Sequence, residues 1–288
     1  MRGGQLTLSP GSANSRRMDR EQFWAALARW VFHTVRNSSA ARPLLVGLSA
    51  PQGAGKTTLT REVMARAKTE GLRAAGVSID DFYLTHDEQV ALARRNPDNP
   101  YLQQRVYPGT HDIDLGTRTL TALKAIGEHG RVALPSYDKT AFAGAGDRRP
   151  AAEWPVAEGP LDFVIVEGWM LGFTPRPEAE IGDPAMRAIN AKLAAYAAWT
   201  ALLDAFIWLE PEDPRFMPDW RVEAETRSRA EGNPGMSDEQ VRTFVARSLP
   251  AYFTYLPGMR EDALPRPCLH LVIGRDRLPR SLPPEAAA

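Results

Sequence analysis

A glycine-rich segment between an apolar run and a helical pattern constrains the fold of this chain more than any other feature. Residues 50–58 read APQGAGKTT, which matches G-x-x-x-x-G-K-[ST] except that Ala50 replaces the first glycine. The apolar run LLVGLS precedes it at 44–49, and a helical pattern runs from Lys56 to about Glu70. Glycines allow a tight turn whose N–H groups point at phosphate oxygens, and the helix N-terminus adds partial positive charge. The segment therefore predicts a nucleoside triphosphate site.

Individual residues of this segment have distinct roles in such a site. The Lys56 side chain reaches the β- and γ-phosphates, and the Thr57 hydroxyl binds Mg²⁺. A strand-to-helix turn without a ligand is the alternative, but both flanking elements that a phosphate loop requires are present. The predicted nucleotide-binding residues are Gly53, Ala54, Gly55, Lys56, Thr57 and Thr58.

The rest of the chain alternates apolar runs with helical patterns. Strands are predicted at 44–49, 74–80, 131–135, 161–168, 205–210 and 269–273. Helices are predicted at 56–70, 86–96, 115–128 and 185–203, and after a capping box formed by Ser237 and Gln240. Apolar strands separated by helices are typical of a mainly parallel sheet with helices on both faces. We therefore predict an α/β fold, the three-layer P-loop NTPase fold.

The first predicted helix follows Asp19. Its apolar residues recur at helical spacing, and they are Phe23, Leu27, Trp30, Val31 and Val35. We interpret this aromatic stripe as core packing. Residues 1–18 are rich in Gly, Ser and Arg without periodicity and predict a flexible tail, so a single domain is expected at 19–288.

Composition and charge exclude several classes of protein. Hydrophobic residues make up 43% of the chain, which rules out global disorder. Lys plus Arg and Asp plus Glu both number 35, so the net charge is zero and a general nucleic-acid binder is not expected. No apolar run approaches the ~20 residues that span a membrane. The single cysteine, Cys268, excludes an intrachain disulfide, and the cytoplasm is the expected compartment.

Acidic residues end two predicted strands on the side where ligands bind in open parallel sheets. Asp80 and Asp81 lie at the end of the second predicted strand, and the strand at 161–168 ends in Glu167 and Gly168. A carboxylate facing the γ-phosphate can orient an acceptor hydroxyl and take its proton, as in a kinase, whereas a turn or N-cap aspartate is the alternative. Glu167 is predicted to hold Mg²⁺, with an ordinary loop carboxylate as the alternative.

Longer motifs resemble one kinase family. The motifs are APQGAGKTT, SIDDFY, YPGTHD, LPSYDKTAFAGAGDR, VIVEGWMLGF, WRVEAE and GNPGMSDEQV. From about Leu44 to Leu256 the chain resembles the D-glycerate 3-kinase family, which is related to uridine kinase, pantothenate kinase and phosphoribulokinase. The phosphate loop and DDFY are widely shared, whereas EGWMLGF and NPGMSDEQV are more specific to the glycerate kinase group. The resemblance implies ATP and Mg²⁺ as cofactors and D-glycerate as the small-molecule substrate.

The resemblance also implies roles for individual residues. Asp80, rather than Asp81, matches the catalytic base, and Lys56 contributes to catalysis. Arg221 lies in a lid predicted at about 211–236, where such kinases bring an arginine onto the transferring phosphoryl group. The Mg²⁺ ligands implied together by the phosphate loop and the resemblance are Thr57, Asp80 and Glu167.

An anionic acceptor requires cations, preferably the bidentate fork of arginine. Loops at about 84–160 are expected to bind it, and among their arginines we favour Arg148 and give Arg149 least weight. A surface charge is the alternative for each. The predicted acceptor-binding residues are Tyr83, Arg105, His111, Tyr137, Lys139 and Arg148. Tyr83 and Tyr137 enter this set through the resemblance.

The reaction implied by the resemblance is ATP plus D-glycerate to ADP plus 3-phosphoglycerate. One alternative is a P-loop kinase for pantothenate, a nucleoside or a sugar acid. The other is a nucleotide-dependent switch or assembly ATPase without a small acceptor. Asp80 and the basic loops favour a kinase, and the loop after Ile273 is the expected location of the nucleotide base.

Overall fold

The computed structural model describes residues 18–232 and 236–287. The predicted tail, apart from Met18, and residues 233–235 of the predicted lid lie outside the described residues. The strands are β1 (Leu44–Ser49), β2 (Ala74–Ser78), β3 (Arg131–Ala133), β4 (Tyr137–Asp138), β5 (Asp147–Arg148), β6 (Val156–Glu158), β7 (Phe163–Gly168), β8 (Ala205–Pro211) and β9 (Cys268–Ile273).

Helices fill the intervals between most of these strands. They are α1 (Arg20–Asn37), α2 (Lys56–Thr69), α3 (His86–Arg95), α4 (Ile113–Lys124), α5 (Pro184–Leu193), α6 (Ala197–Thr200), α7 (Met217–Ala230), α8 (Asp238–Ala246), α9 (Leu249–Tyr255) and α10 (Pro284–Ala287). The capping box predicted at Ser237 is confirmed, since its side chain accepts from the Gln240 amide. Every helix in the described ranges is too short or too polar to cross a bilayer.

The central sheet is parallel, as the alternation of strands and helices predicts. Within the described part of the chain it has five strands in the order β2-β7-β1-β8-β9. Strands β1 and β7 are buried along their whole length, as expected for a parallel sheet covered by helices. The predicted α/β fold is confirmed.

The register of the strands brings the predicted acidic residues beside the phosphate loop. Glu167 of β7 is paired with Ser78 at the end of β2 and with Leu48 in β1. The loop leaves β1 directly after Ser49, and the Ala50 amide donates to the carbonyl of Gly168 over 3.3 Å. The carboxyl ends of three neighbouring strands therefore form one edge, where ligands bind in such sheets.

The helix predicted after Asp19 is confirmed as α1. Asp19 caps it through a capping box with Gln22, and the residues of the predicted apolar stripe are buried in the core. Helix α1 packs on α2, which in turn packs against β2 and β7. Two short antiparallel pairs, β3 with β6 and β4 with β5, lie outside the central sheet.

The prediction of a single helix over 185–203 is wrong in the middle of that range. A 3₁₀ turn at Ala194–Tyr196 separates α5 from α6. It is associated with two tertiary contacts: the Tyr196 hydroxyl accepts from the Gly109 amide over 3.0 Å, and the Trp199 indole donates to the carbonyl of Ile113 over 3.2 Å. Helical periodicity carries no information about such contacts.

The strand predicted over 74–80 is also too long. It ends at Ser78, whose side chain accepts from the Asp80 amide over 3.3 Å and begins a 3₁₀ turn at Ile79–Phe82. Both aspartates therefore lie in a turn rather than in extended backbone. The turn gives their side chains different partners.

Candidate active site

A cavity of about 680 Å³ lies at the carboxyl edge of the central sheet. The predicted nucleotide-binding residues all line it. So do other predicted site residues, namely Asp80, Tyr83, Arg105, Lys139, Glu167 and Arg221. The predicted residues His111, Tyr137 and Arg148 are not in its lining. The structure thus brings most of the predicted set to one place, contributed by segments far apart in the chain.

The phosphate loop depends on two glycines with left-handed backbone. Gly53 has a φ of +77° and Gly55 a φ of +95°, a region that side-chain-bearing residues rarely adopt. A Cβ on Gly53 would lie 2.8 Å from the backbone nitrogen of Arg221 and 2.8 Å from Cβ of Trp220. Gly53 therefore permits both the turn and the close approach of α7.

Lys56 begins α2 and turns its side chain back over the loop. Its ammonium donates to the carbonyls of Ala50 over 3.0 Å and of Pro51 over 3.2 Å. Burial lowers the pKa of Lys56, while the neighbouring Glu167 carboxylate counteracts the shift. The ammonium therefore lies against the phosphate loop, where it can neutralise phosphate oxygens.

Thr57 and Glu167 place two oxygen donors beside Lys56. The Thr57 hydroxyl donates to Oε1 of Glu167 over 3.2 Å. Burial raises the pKa of the Glu167 carboxyl, and the Lys56 ammonium opposes that effect. A hydroxyl and a carboxylate at this position form the donor type that Mg²⁺ prefers.

The two adjacent aspartates have different environments. Oδ2 of Asp80 lies 2.5 Å from the Lys139 ammonium. Burial would raise the pKa of Asp80, but Lys139, with Lys56 nearby, holds it well below its ordinary value. Asp81 instead accepts from the Tyr137 amide over 3.0 Å, and burial raises its pKa to about 6. Asp80 is thus an ionised carboxylate in the cavity, whereas Asp81 fixes the loop that carries Lys139.

Arg105 brings a buried cation to the cavity. It is 8% exposed, and its guanidinium donates to the backbone carbonyls of Gly144 (2.6 Å) and Ala145. The guanidinium carbon lies 5.8 Å from the ring centroids of both Tyr137 and Phe244. Among the described residues, no carboxylate forms an ion pair with Arg105. Its charge is therefore available to an anion that enters the cavity.

Tyr83 and His111 form the wall behind Asp80. Their rings stack at 4.2 Å between centroids, and Tyr137 meets Tyr83 edge-on at 5.4 Å. Nδ1 of His111 lies 2.7 Å from the Tyr196 hydroxyl. Burial lowers the pKa of His111 to about 3, so its imidazole is neutral. Tyr83 reaches the cavity, and His111 supports it from behind.

Arg148, the arginine that the sequence favours, has other partners. It donates to the carbonyl of Tyr83 over 2.7 Å and lies 3.4 Å from Oδ2 of Asp112. It thereby ties β5 to the segment that carries Tyr83. The structure does not bring its guanidinium to the cavity lining.

Curated proteins with similar sequences are named as kinases, as a cavity lined by a phosphate loop and an aspartate would suggest. A D-glycerate 3-kinase of Arabidopsis thaliana, named as chloroplastic, is 44% identical over 221 residues, which are 75% of this chain and 48% of the plant protein. An uncharacterised kinase of Schizosaccharomyces pombe is 35% identical over 251 residues, 83% of this chain and 90% of the yeast protein. No protein-family model matches the chain.

A solved structure decides the family. D-glycerate 3-kinase from Cryptococcus neoformans superposes with a TM-score of 0.81 at 32% identity, over 90% of this chain and 98% of that one. The chain belongs to the D-glycerate 3-kinase family. The family resemblance stated from the motifs is confirmed. It spans about half the length of the Arabidopsis relative.

Family motifs do not mark every residue at the site. Arg277, after β9, donates through Nε to the carbonyl of Gly53 over 3.0 Å and pairs with Glu223 at 2.6 Å. It lies in the loop after Ile273, where the base is expected, but no pattern singles it out. Arg20 and Trp24 of α1 also line the cavity, although the sequence predicts that α1 faces the core.

Proposed function

We propose that this chain transfers the γ-phosphoryl group of ATP to the 3-hydroxyl of D-glycerate, giving ADP and 3-phosphoglycerate. One observation carries the proposal: a phosphate loop, an ionised aspartate and a buried arginine without a carboxylate partner among the described residues line one cavity. The loop suits the triphosphate, Asp80 suits a hydroxyl, and Arg105 suits the acceptor carboxylate. Membership of the D-glycerate 3-kinase family supports this choice of acceptor.

The chemistry assigned to the chain is positioning and charge stabilisation. The loop amides and Lys56 hold the β- and γ-phosphates. Asp80 accepts a hydrogen bond from the 3-hydroxyl, orients it towards the γ-phosphorus and takes its proton as the new P–O bond forms. Arg221, which lines the same cavity, stabilises negative charge on the phosphoryl group during transfer.

Arg105 and Lys139 are assigned to the acceptor. The guanidinium of Arg105 binds the glycerate carboxylate, and its contacts with the carbonyls of Gly144 and Ala145 hold it in place. The Lys139 ammonium lies beside Asp80 and adds positive charge where the anionic acceptor and the γ-phosphate meet. A neutral acceptor such as a nucleoside would leave Arg105 buried without an anionic partner.

The donor set of the site fits Mg²⁺. Within the described ranges, no three His, Cys, Asp or Glu side chains form a metal cage. Kinase Mg²⁺ sites instead combine one or two protein oxygens with substrate phosphates. We assign Thr57 and Glu167 as ligands, with Asp80 as a further candidate. The metal would neutralise charge on the β- and γ-phosphates.

Two other interpretations receive less support. A P-loop kinase for a nucleoside shares the phosphate site, but its neutral acceptor does not explain why a buried arginine lines the cavity. Pantothenate and sugar acids carry a carboxylate that Arg105 would also suit, and membership of the D-glycerate 3-kinase family favours D-glycerate over them. A switch or assembly ATPase requires no acceptor pocket, and the relatives described above are named as kinases.

Release of ADP from Mg-ATP tests the proposal, with D-glycerate, L-glycerate, pantothenate and uridine supplied separately. We expect D-glycerate alone to stimulate release, and NMR to place the new phosphate on the 3-oxygen. Asp80→Asn should lower kcat by about 10²- to 10⁴-fold, the range for losing a general base. Asp98→Asn, at an exposed position, is the matched control. Stimulation by another acceptor, with none by D-glycerate, would overturn the assignment.

We also propose a cytoplasmic location, because the single cysteine suits a reducing compartment. Burial raises the pKa of the Cys268 thiol to about 11, so it stays protonated. Fractionation of cells that express a tagged chain should recover it with a cytosolic marker protein. Recovery with an organelle marker, as the name of the Arabidopsis relative suggests for that protein, would contradict this location.

A further inference from the structure

The cavity has a second end that the proposed reaction does not use. Asp80, Lys139 and Arg105 surround the acceptor end. The γ-phosphate must face Asp80, so the nucleoside of ATP must leave the phosphate loop in the other direction. The cavity lining also includes Arg20, Trp24, Thr58, Ala224, Arg227 and Arg277, which come from α1, α2, α7 and the loop after β9. We place this group on the nucleoside side because Arg277 contacts the carbonyl of Gly53 in the phosphate loop and Arg20 lies near Arg277.

Charge interactions show that the three arginines of this group lie close together. Burial lowers the pKa of Arg20, and Arg277 and Arg227 add to the shift because their positive charges lie nearby. Asp80, in contrast, interacts with Lys139, Lys56 and His111. The two ends of the cavity therefore have different charged neighbours.

Four aromatic residues line the cavity, and three of them, Tyr83, Phe244 and Trp169, pack against other aromatic or charged side chains. Trp24 is the fourth. Tyr83 packs on His111, and Phe244 lies over Arg105. Trp169 packs against Tyr107 and Tyr252. Trp24 is one position beyond the buried Phe23 of α1, so its indole reaches the cavity while only part of it contacts the core. It offers the nucleotide end a flat π surface.

The arginines beside Trp24 differ from their neighbours on α7. Arg221 pairs with Glu225, and Arg229 with Asp238. Among the described residues, no carboxylate oxygen lies within 4.0 Å of the Arg20 or Arg227 guanidinium. Glu223 also interacts with Arg20, but its carboxylate pairs with Arg277. Two guanidinium groups therefore remain available at the same end of the cavity. Their charge suits the α-phosphate of a bound nucleotide.

We propose that Trp24 is the stacking platform for the base of ATP, with Arg20 and Arg227 as flanking cations. This inference rests on the proposed function, because the role of Asp80 in that proposal fixes the direction in which the nucleotide lies. It assigns part of the nucleotide site to α1, a helix outside the phosphate-loop motif. Stacking is tolerant of base identity because every base has a π face, so Trp24 contributes affinity rather than discrimination between ATP and GTP.

The test compares ATP with inorganic tripolyphosphate, which has the same phosphates and no base. Dissociation constants are measured by calorimetry for the intact chain carrying Trp24→Leu, which keeps apolar packing and removes the ring. We expect ATP to bind about tenfold more weakly, the effect of losing one stacked base. Tripolyphosphate should bind within twofold of the unmodified chain. Trp24→Phe, which keeps a ring, should restore ATP binding to within threefold.

Trp154→Ala is the matched control, since Trp154 lies outside the cavity and should leave both constants unchanged. The proposal is overturned if Trp24→Leu weakens both ligands equally or neither of them, or if Trp24→Phe behaves like Trp24→Leu. These measurements need no acceptor. A chain that binds ATP through Trp24 but does not phosphorylate D-glycerate would therefore contradict the proposed function while leaving this inference in place.

Discussion

Nζ of Lys139 lies 2.5 Å from Oδ2 of Asp80, across the cavity edge between the β4–β5 loop and the turn after β2. The carboxylate assigned as the base therefore has a cation beside it before any acceptor arrives. Burial favours the neutral acid, yet the ion pair keeps the pKa of Asp80 low. Lys139 thus sets the protonation state of the group on which proton transfer depends.

Replacing Lys139 should move the pH dependence of the reaction. Loss of the ammonium in Lys139→Met removes the strongest opposition to burial at Asp80 and leaves mainly Lys56, so the pKa of Asp80 rises and the carboxylate becomes protonated at a higher pH. The acid limb of the kcat profile should therefore shift to higher pH. Lys68→Met, at an exposed position on α2, is the control. An unchanged acid limb in Lys139→Met would show that Lys139 does not tune the base.

Asp81 should make the protein less stable as the pH rises. Its pKa in the folded protein is raised from 3.8 to about 6, so between these values the folded state binds more protons than the unfolded state. The free energy of unfolding therefore falls as pH increases through that window. Asp81→Asn cannot titrate, and its carbonyl can still accept from Tyr137. Urea denaturation at several pH values should show the variant gaining stability relative to the unmodified chain from pH 4 to 7. A constant difference would contradict the pKa shift.

Arg105 and Arg148 should respond differently to truncation. Arg105→Ala should raise KM for D-glycerate by about 10- to 100-fold and leave KM for ATP unchanged, because a charged hydrogen bond to the carboxylate is lost. Arg148→Ala should instead lower Tm, since it loses the carbonyl of Tyr83 and the carboxylate of Asp112. A raised KM with unchanged Tm in Arg148→Ala would support the preference for Arg148 expressed from the sequence.

Gly53→Ala should abolish tight nucleotide binding. The added Cβ would sit 2.8 Å from the backbone nitrogen of Arg221, and the φ of +77° would itself be strained. We expect ATP affinity to fall by more than tenfold in calorimetry. Gly182→Ala is the control, because a Cβ there meets nothing within 4 Å. Normal ATP affinity in Gly53→Ala would mean that α7 does not approach the loop this closely.

The sequence predicts the features that depend on local pattern. The phosphate loop, the buried strands and the position of Asp80 near a strand end are local features. The structure has the strands in the central sheet, with the phosphate loop and Asp80 together at the carboxyl ends of those strands. The preference between Arg105 and Arg148 depends on which distant carbonyls and carboxylates each meets, and the sequence carries no such information. Trp24 and Arg277 escape prediction for the same reason, because they reach the cavity through packing between distant segments.

The contact between Arg277 and the carbonyl of Gly53 joins residues 224 positions apart. Strand β1 likewise pairs with β7 and β8, both made much later in synthesis. Contacts of such long range form late in folding, because the chain must close large loops before gaining them. A growing chain on the ribosome thus carries the phosphate-loop motif long before it has a working site. Only when the segment after β9 has emerged can Arg277 reach the carbonyl of Gly53 and complete the contacts around the phosphate loop.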